Sequence, residues 1–104
     1  LTGGERLTGP GFDGGFYLPP TVLAEASPDM LVMREETFGP VLPIMPFRTE
    51  EEAIRLANDS PFGLNASVWS RNMDRARRVA FSLESGNVCI NDVIVSVANP
   101  HLPF

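Results

Sequence analysis

The stretch "TEEEAIRLANDSPFGLNASVW" (residues 49–69) decides the fold class. Thr49 and Glu52 match a capping box, and three consecutive glutamates stand where the positive end of a helix dipole would be. We therefore expect a helix that begins after Thr49 and ends near Asn58. The segment "SPFG" then predicts a turn, and the alternating pattern of "LNASVWS" (residues 64–70) predicts a strand.

The segments on either side extend this alternation of helix and strand. Upstream, "VLPIMPF" (residues 41–47) is apolar, but Pro43 and Pro46 each lack a backbone donor, which favours an edge or bulged strand. Downstream, Asn72 is placed to cap a second helix and Gly86 to end it. The apolar face predicted for that helix consists of Ala76, Val79, Ala80 and Leu83.

A further apolar strand, "NVCIN" (residues 87–91), completes the order strand, helix, strand, helix, strand. This order is typical of a parallel sheet whose strands are connected by crossover helices. The fold class predicted from the pattern is therefore α/β.

The first 40 residues are predicted to contain less regular structure. Six of the nine glycines fall within residues 1–16, which we interpret as a loop. The segment "YLPPTVLAEA" (residues 17–26) predicts an extended strand. The segment "SPDMLVMREE" predicts a short helical turn capped by Ser27, with Pro28 at its first position. Without a visible linker or repeat, we expect one continuous unit.

Composition excludes several functional classes. The chain has 104 residues and a net charge of −5, and a negative field disfavours nucleic-acid binding. All eight basic residues are arginine, so this chain has no lysine for a Schiff base. One Cys and one His cannot build a soft-ligand zinc site, and we expect no metal. The absence of a long apolar run or secretory signal in the sequence predicts a cytoplasmic protein without a membrane partner.

Most of the other chemically suggestive residues have simpler structural interpretations. The segment "GPGFDG" (residues 9–14) fits the dinucleotide pattern G-x-G-x-x-G, but "GFYLPP" cannot open the required helix, so a glycine turn is favoured. Cys89 lies in a predicted strand and is interpreted as a buried structural thiol. His101 is interpreted as a loop residue without catalytic duty, and Trp69 and Phe81 as core residues.

The segment "MREETFGPVLPI" (residues 33–44) contains the strongest candidate site. An ionised carboxylate can accept hydrogen bonds on both oxygens, which suits a vicinal diol such as a ribose, and a neighbouring aromatic can pack on a flat ring. Glu35, Glu36 and Phe38 supply these groups ahead of the Gly39-Pro40 turn. The alternative that the two glutamates are a solvated strand entrance stays open at this point.

The segment "REETFGPVLPI" resembles the Glu-x-Phe-Gly-Pro segment of the aldehyde dehydrogenase superfamily. The flanking segments agree in order and spacing: "GGFYLPPTVL", "EEAIRLANDSPFGLNASVWSRN", "SGNVCIND" and "NPHLPF". The resemblance covers essentially the whole chain. It implies that residues 1–104 are the C-terminal half of a partial aldehyde dehydrogenase catalytic domain, without a complete coenzyme-binding domain.

The resemblance also implies roles for individual residues. Glu36 would hydrogen-bond the nicotinamide ribose of NAD or NADP, and Phe38 would pack near the nicotinamide ring. Asn91 and Phe104 would belong to the pocket for a small-molecule aldehyde. The family's nucleophilic cysteine and general-base glutamate precede the part that this chain resembles, so no catalytic residue is expected among residues 1–104.

Two functions follow as alternatives. The first is that the chain is part of an NAD(P)-dependent aldehyde dehydrogenase, expected to be a homo-oligomer, that oxidises an aldehyde to a carboxylic acid. The isolated chain would then be inactive. The second is that the chain is a truncated, non-catalytic module that self-associates or binds a partner through unpaired strand edges.

Overall fold

The computed structural model describes residues 2–93 and residue 101. The chain divides into two compact units, Leu1–Pro46 and Phe47–Phe104. No helix among the described residues is long and apolar enough to cross a membrane.

The first unit is built on two parallel strands. Strand β1 (Thr21–Leu23) pairs with strand β2 (Val41–Pro43), with Thr21 opposite Val41. Thr2 adds an isolated antiparallel bridge to Val22. The extended strand predicted within residues 17–26 is therefore confirmed at Thr21–Leu23, the three residues of β1. Strand β2 ends at Pro43, although the N–H of the next residue, Ile44, still donates to the Leu23 carbonyl at 2.8 Å.

The short helix between these strands begins later than the sequence predicted. Helix α1 spans Leu31–Arg34, and Met30 precedes it without a side-chain cap. The predicted Ser27 cap is wrong, because the Ser27 hydroxyl donates to the Asp29 carboxylate and the Ser27 carbonyl accepts from the Met30 N–H. That serine bond is the main cause that lowers the pKa of Asp29. Residues 27–30 thus form a turn of their own before the helix.

A buried threonine fixes the glycine-rich segment onto β1. The Thr21 side chain accepts from the Gly4 N–H at 2.9 Å and donates to the Pro19 carbonyl at 2.8 Å. Gly3 lies so close that a Cβ there would sit 2.6 Å from both the Pro20 carbonyl oxygen and the Thr21 hydroxyl oxygen. The φ of Gly3 is also positive, at 79°. Glycine is required at this position by contact as well as by backbone conformation.

The second unit contains a parallel pair joined by a crossover helix. Its elements are α2 (Glu50–Asn58), β3 (Asn65–Val68), α3 (Met73–Ser82) and β4 (Asn87–Ile90). Strands β3 and β4 pair in parallel from Asn65 opposite Asn87 to Val68 opposite Ile90. Because α3 connects them, these elements form a β-α-β unit, and the predicted α/β class with parallel strands and crossover helices is confirmed.

Helix α2 begins with the predicted capping chemistry. The Thr49 hydroxyl accepts from the Glu52 N–H at 3.1 Å, and the helix ends at Asn58 as expected. The Glu52 carboxylate accepts from the Arg48 N–H at 2.7 Å, one residue ahead of the N-cap that a strict capping box would use. Both ends of this helix were therefore predictable from local sequence.

Helix α3 has the predicted start but not the predicted end. The Asn72 side chain accepts from the Arg75 N–H at 2.9 Å, as an N-cap should. The helix stops at Ser82, and Leu83 already has an extended backbone. Gly86 does not end it, because its N–H donates instead to the Gly63 carbonyl at 2.8 Å.

The packing face of α3 is centred on Ala76, which is fully buried. Phe81 follows five residues later, about 140° around the helix, and is 92% exposed. Trp69 lies just after the last paired residue of β3 and is 64% exposed. The prediction that Phe81 and Trp69 are core residues is therefore wrong for this structure.

Two polar connections hold α2 against α3. The Glu50 carboxylate accepts from Arg75 at 2.7 Å and from the Arg78 Nε at 2.9 Å. At the other end of α2, the Asn58 side chain donates to the Ser82 carbonyl and accepts from the Glu84 N–H, both at 2.9 Å. Glu50, the first residue of α2, thus also joins the two helices.

Substitution of Gly3 tests the close approach to β1. We expect Gly3→Ala to lower the free energy of unfolding more than Gly4→Ala. Both residues have positive φ, which costs an alanine about 1 to 2 kcal/mol. A Cβ on Gly4 meets nothing within 4 Å, whereas one on Gly3 collides with Pro20 and Thr21. Urea unfolding of the two variants measures the difference, and equal losses would contradict the packing argument.

The Glu50 cluster predicts a pH-dependent contribution to stability. Hydrogen bonds from Arg78 and Arg75 lower the pKa of Glu50 in the folded chain. The contribution is therefore fully present above the ordinary carboxyl pKa and is lost as the pH falls through the lowered value. Glu50→Gln should reduce the melting temperature at neutral pH. The difference in melting temperature between this variant and wild type should become smaller in acid. Glu51→Gln, which removes a neighbouring helix-start charge without an ion pair, is the control and should show a smaller effect.

Candidate functional site

The candidate segment with the paired glutamates connects α1 to β2 and is anchored at both ends. The Glu35 N–H donates to the Leu31 carbonyl at 2.8 Å, which closes the last turn of α1. The Pro40 carbonyl accepts from the Thr21 N–H at 2.8 Å, which attaches the other end to β1. The six-residue segment 35–40 is therefore held at each end by a backbone hydrogen bond.

The side chains of Glu36 and Phe38 both project from this anchored segment. Glu36 is exposed, and none of the residues that the structure describes forms a hydrogen bond or an ion pair with its carboxylate. The Phe38 ring is 92% exposed. A carboxylate with all its acceptor positions available and an uncovered flat ring can bind a diol and a flat heterocycle.

Asn91, the predicted pocket residue, lies directly after β4 and has a different environment. Its backbone has a φ of 53°, and its N–H donates to the Val68 carbonyl at 2.8 Å. Its side-chain oxygen accepts from the Ser70 N–H at 2.9 Å, and its side-chain nitrogen donates to the Ser70 carbonyl at 3.0 Å. The amide therefore joins the end of β4 to the loop between β3 and α3.

This junction forms one wall of an open groove of about 480 Å³. The groove is lined by Trp69, Ser70, Arg71, Met73 and Asn91. Its volume falls within the range of small-molecule sites, and it lies at the carboxyl end of the β3–β4 pair, where open α/β sheets bind ligands. Asn91 thus lies beside an open groove.

The other predicted residues contribute less to this geometry. Phe104 lies outside the described residues. Cys89 is half-buried in β4, and His101 is exposed. Among residues 2–93 and 101, no group of three His, Cys, Asp or Glu side chains could hold a metal ion. The "GPGFDG" segment is a turn, in which the Gly9 N–H donates to the Asp13 carboxylate at 2.8 Å.

Ser70 is a residue that sequence reasoning missed. It receives the Asn91 amide through its own backbone N–H and carbonyl. No sequence signal could have pointed to it, because every residue except proline carries these backbone groups.

Comparison with known proteins identifies the family. The family model for the aldehyde dehydrogenase family matches residues 1–104, which is the whole chain. This chain belongs to the aldehyde dehydrogenase family.

Two curated members of that family illustrate the relationship. The 4,4'-diapolycopene aldehyde oxidase of Methylomonas sp is 52% identical over 101 residues, which cover 97% of this chain and 19% of the relative. The betaine aldehyde dehydrogenase of Bacillus subtilis (strain 168) is 45% identical over 91 residues, covering 88% of this chain and 19% of the relative. The chain therefore spans about a fifth of the length of these two relatives.

Solved structures of the family show the same fold. Betaine aldehyde dehydrogenase from Staphylococcus aureus, in complex with NAD+, has a TM-score of 0.82 and 42% identity. That match covers 89% of this chain and 18% of the solved one. Aldehyde dehydrogenase from Mycobacterium tuberculosis, complexed with NAD+, has a TM-score of 0.82 and 40% identity, covering 90% of this chain and 19% of the other. The aldehyde dehydrogenase fold class is thus shared over nearly all of the chain.

Proposed function

We propose that this chain is part of an NAD(P)-dependent aldehyde dehydrogenase that oxidises an aldehyde to a carboxylic acid. The observation that carries the proposal is the family match over residues 1–104, together with the high structural similarity to two dehydrogenases solved with NAD+. Residues 1–104 would be the C-terminal half of the catalytic domain, without a complete coenzyme-binding domain.

In this proposal Glu36 and Phe38 contact the coenzyme. The Glu36 carboxylate accepts hydrogen bonds from the two hydroxyls of the ribose next to the nicotinamide, and the Phe38 ring packs near the nicotinamide. The exposure of both side chains, and the anchoring of their segment to Leu31 and Thr21, support this assignment. When bound, the nicotinamide supplies the hydride acceptor for the oxidation.

The remaining residues of the proposed site concern the aldehyde. Asn91 and Phe104 belong to the substrate pocket, and no residue of this chain makes or breaks a bond. The nucleophile and the general base come from the rest of the enzyme, so the isolated chain is inactive. The place of Asn91 beside the groove at the end of β4 supports its part in this proposal.

The proposal includes the setting of the whole enzyme. We propose a cytoplasmic homo-oligomer that acts on a small-molecule aldehyde and binds neither nucleic acid nor membrane. The betaine aldehyde dehydrogenases among its relatives are named for such a small substrate. The net charge of −5 supports the exclusion of nucleic acid.

The ribose contact predicts a specific loss in the full-length enzyme. Glu36→Gln should raise the KM for NAD+ or lower kcat, together by about tenfold or more, because a charge-assisted hydrogen bond is replaced by a neutral one. Steady-state kinetics with NAD+ as the varied substrate measure this effect. The melting temperature should not change, since the Glu36 carboxylate is exposed and forms no hydrogen bond or ion pair with the described residues.

Glu35→Gln is the matched control for that experiment. It makes the same chemical change one residue earlier, on a residue that is also exposed. Its coenzyme kinetics should equal those of wild type. Unchanged kinetics in Glu36→Gln, or an equal loss in both variants, would contradict the assignment of the ribose contact.

A second candidate function is favoured by the surface of the described residues. Large apolar side chains are exposed on the second unit, among them Phe81 at 92%, Trp69 at 64% and Phe47 at 60%. The β3–β4 pair is two-stranded within the described residues, so it presents unpaired edges. These features suit a module that binds another protein chain.

Self-association of the isolated 104-residue chain tests this candidate. We expect dimers or larger assemblies in light scattering, because exposed apolar faces and free strand edges are covered when chains associate. The double variant Trp69→Ser/Phe81→Ser should shift the distribution of oligomeric states toward the monomer. A monodisperse monomer of the wild-type chain would rule out self-association.

A further inference from the structure

We infer that Asn91 is a positioning residue, which shapes the proposed aldehyde pocket by holding the backbone of Ser70 rather than by binding the aldehyde itself. This inference rests on the proposed function and deepens it. It concerns how one residue of the proposed pocket acts there.

The hydrogen bonds of the Asn91 amide leave no donor for a substrate. An asparagine side chain has two N–H donors, both on its nitrogen. One donates to the Ser70 carbonyl at 3.0 Å, and the other is directed at the Met73 sulfur at 3.7 Å. An aldehyde carbonyl can only accept a hydrogen bond, and both N–H donors of the Asn91 side chain already have acceptors.

The side-chain oxygen is also engaged, since it accepts from the Ser70 N–H at 2.9 Å. Its remaining lone pair could accept a second hydrogen bond, but an aldehyde group has no N–H or O–H to donate. The amide chemistry therefore fits a backbone partner better than it fits the reacting group of the substrate.

The backbone of Asn91 is specified as tightly as its side chain. Its φ of 53° lies in the left-handed region, which asparagine tolerates better than most residues. Its N–H donates to the Val68 carbonyl at 2.8 Å, and the Ser67 hydroxyl donates to the Asp92 carbonyl at 2.7 Å. The two residues that follow β4, Asn91 and Asp92, are thus hydrogen-bonded to the last two residues of β3.

These hydrogen bonds lie at the carboxyl end of the parallel pair, beside the open groove. Release of the Asn91 amide would free the Ser70 backbone and the start of α3, and would alter the direction in which residues 92 and 93 continue. A displacement of about 1 Å in such a segment is enough to lower catalytic efficiency strongly. A loss of aldehyde kinetics without a loss of coenzyme binding is the expected signature.

The same fold contains a natural control at the opposite end of α3. The Asn58 side chain makes the same pair of backbone bonds, accepting from the Glu84 N–H and donating to the Ser82 carbonyl, both at 2.9 Å. Asn58 does not line the groove. The two asparagine side chains therefore hold backbone segments together in a similar way, but Asn91 lines the groove and Asn58 does not.

The test uses the full-length enzyme and four variants: Asn91→Gly, Asn91→Asp, Asn58→Gly and Asn58→Asp. Glycine at position 91 removes the amide but retains access to positive φ. Aspartate retains the size and the acceptor but turns an oxygen toward the Ser70 carbonyl. Both Asn91 variants should lower kcat/KM for the aldehyde by about tenfold or more, with the KM for NAD+ unchanged. The Asn58 variants should lower the melting temperature but leave the aldehyde kinetics unchanged.

Hydrogen exchange at the Ser70 amide, measured by mass spectrometry without substrate, separates positioning from direct contact. We expect faster exchange in Asn91→Gly, which removes the oxygen that accepts from the Ser70 N–H, and wild-type exchange in the Asn58 variants. In Asn91→Gly, lost aldehyde kinetics with unchanged Ser70 exchange would indicate direct contact and overturn the inference. Faster exchange with unchanged aldehyde kinetics would reduce Asn91 to a purely structural residue and would also overturn it.

The proposed function fails in a distinguishable way. If the wild-type enzyme oxidises no aldehyde in a panel of aliphatic and aromatic aldehydes, the dehydrogenase proposal is contradicted, and the pocket role of Asn91 with it. An active wild-type enzyme whose Asn91 and Asn58 variants behave alike contradicts the inference alone.

Discussion

Parallel strand pairing is the constraint on which the rest of this structure depends. Two parallel strands cannot be joined by a tight hairpin, so the chain must cross back between them. Between β3 and β4 the crossing is helix α3, and between β1 and β2 it is the segment that contains α1 and residues 35–40. The crossing before β2 carries Glu36 and Phe38, and the end of β4 carries Asn91.

Side-chain hydrogen bonds hold the turns and crossings of this chain together. Among the described residues, the buried ones are Thr21, Ala26 and Ala76, all with small side chains. The turns and crossings are held instead by hydrogen bonds such as those of the Asn58 and Asn91 amides. Large exposed apolar side chains accompany a match to about a fifth of each relative, which fits the proposal that these residues are one part of a larger catalytic domain.

Local chemistry made part of the fold predictable from sequence. The starts of α2 and α3 followed from the side chains of Thr49 and Asn72, whose hydrogen-bond partners lie three residues away. The end of α3 and the Asn91–Ser70 contact depend on residues distant in sequence, so local patterns could not supply them. The exposure of Phe81, in contrast, agrees with its place about 140° around the helix from Ala76. Glu36 and Phe38 were found because their motif resembles a family, while their exposure and anchoring are visible in the structure alone.

A crystal structure of the full-length protein with bound NAD+ tests the central claim most directly. We expect both oxygens of the Glu36 carboxylate to accept hydrogen bonds from the hydroxyls of the ribose beside the nicotinamide, with oxygen–oxygen distances of about 2.5 to 3.0 Å. The Phe38 ring should lie near the nicotinamide. A coenzyme bound away from the segment between α1 and β2, or held there by Glu35 while Glu36 faces solvent, would contradict it.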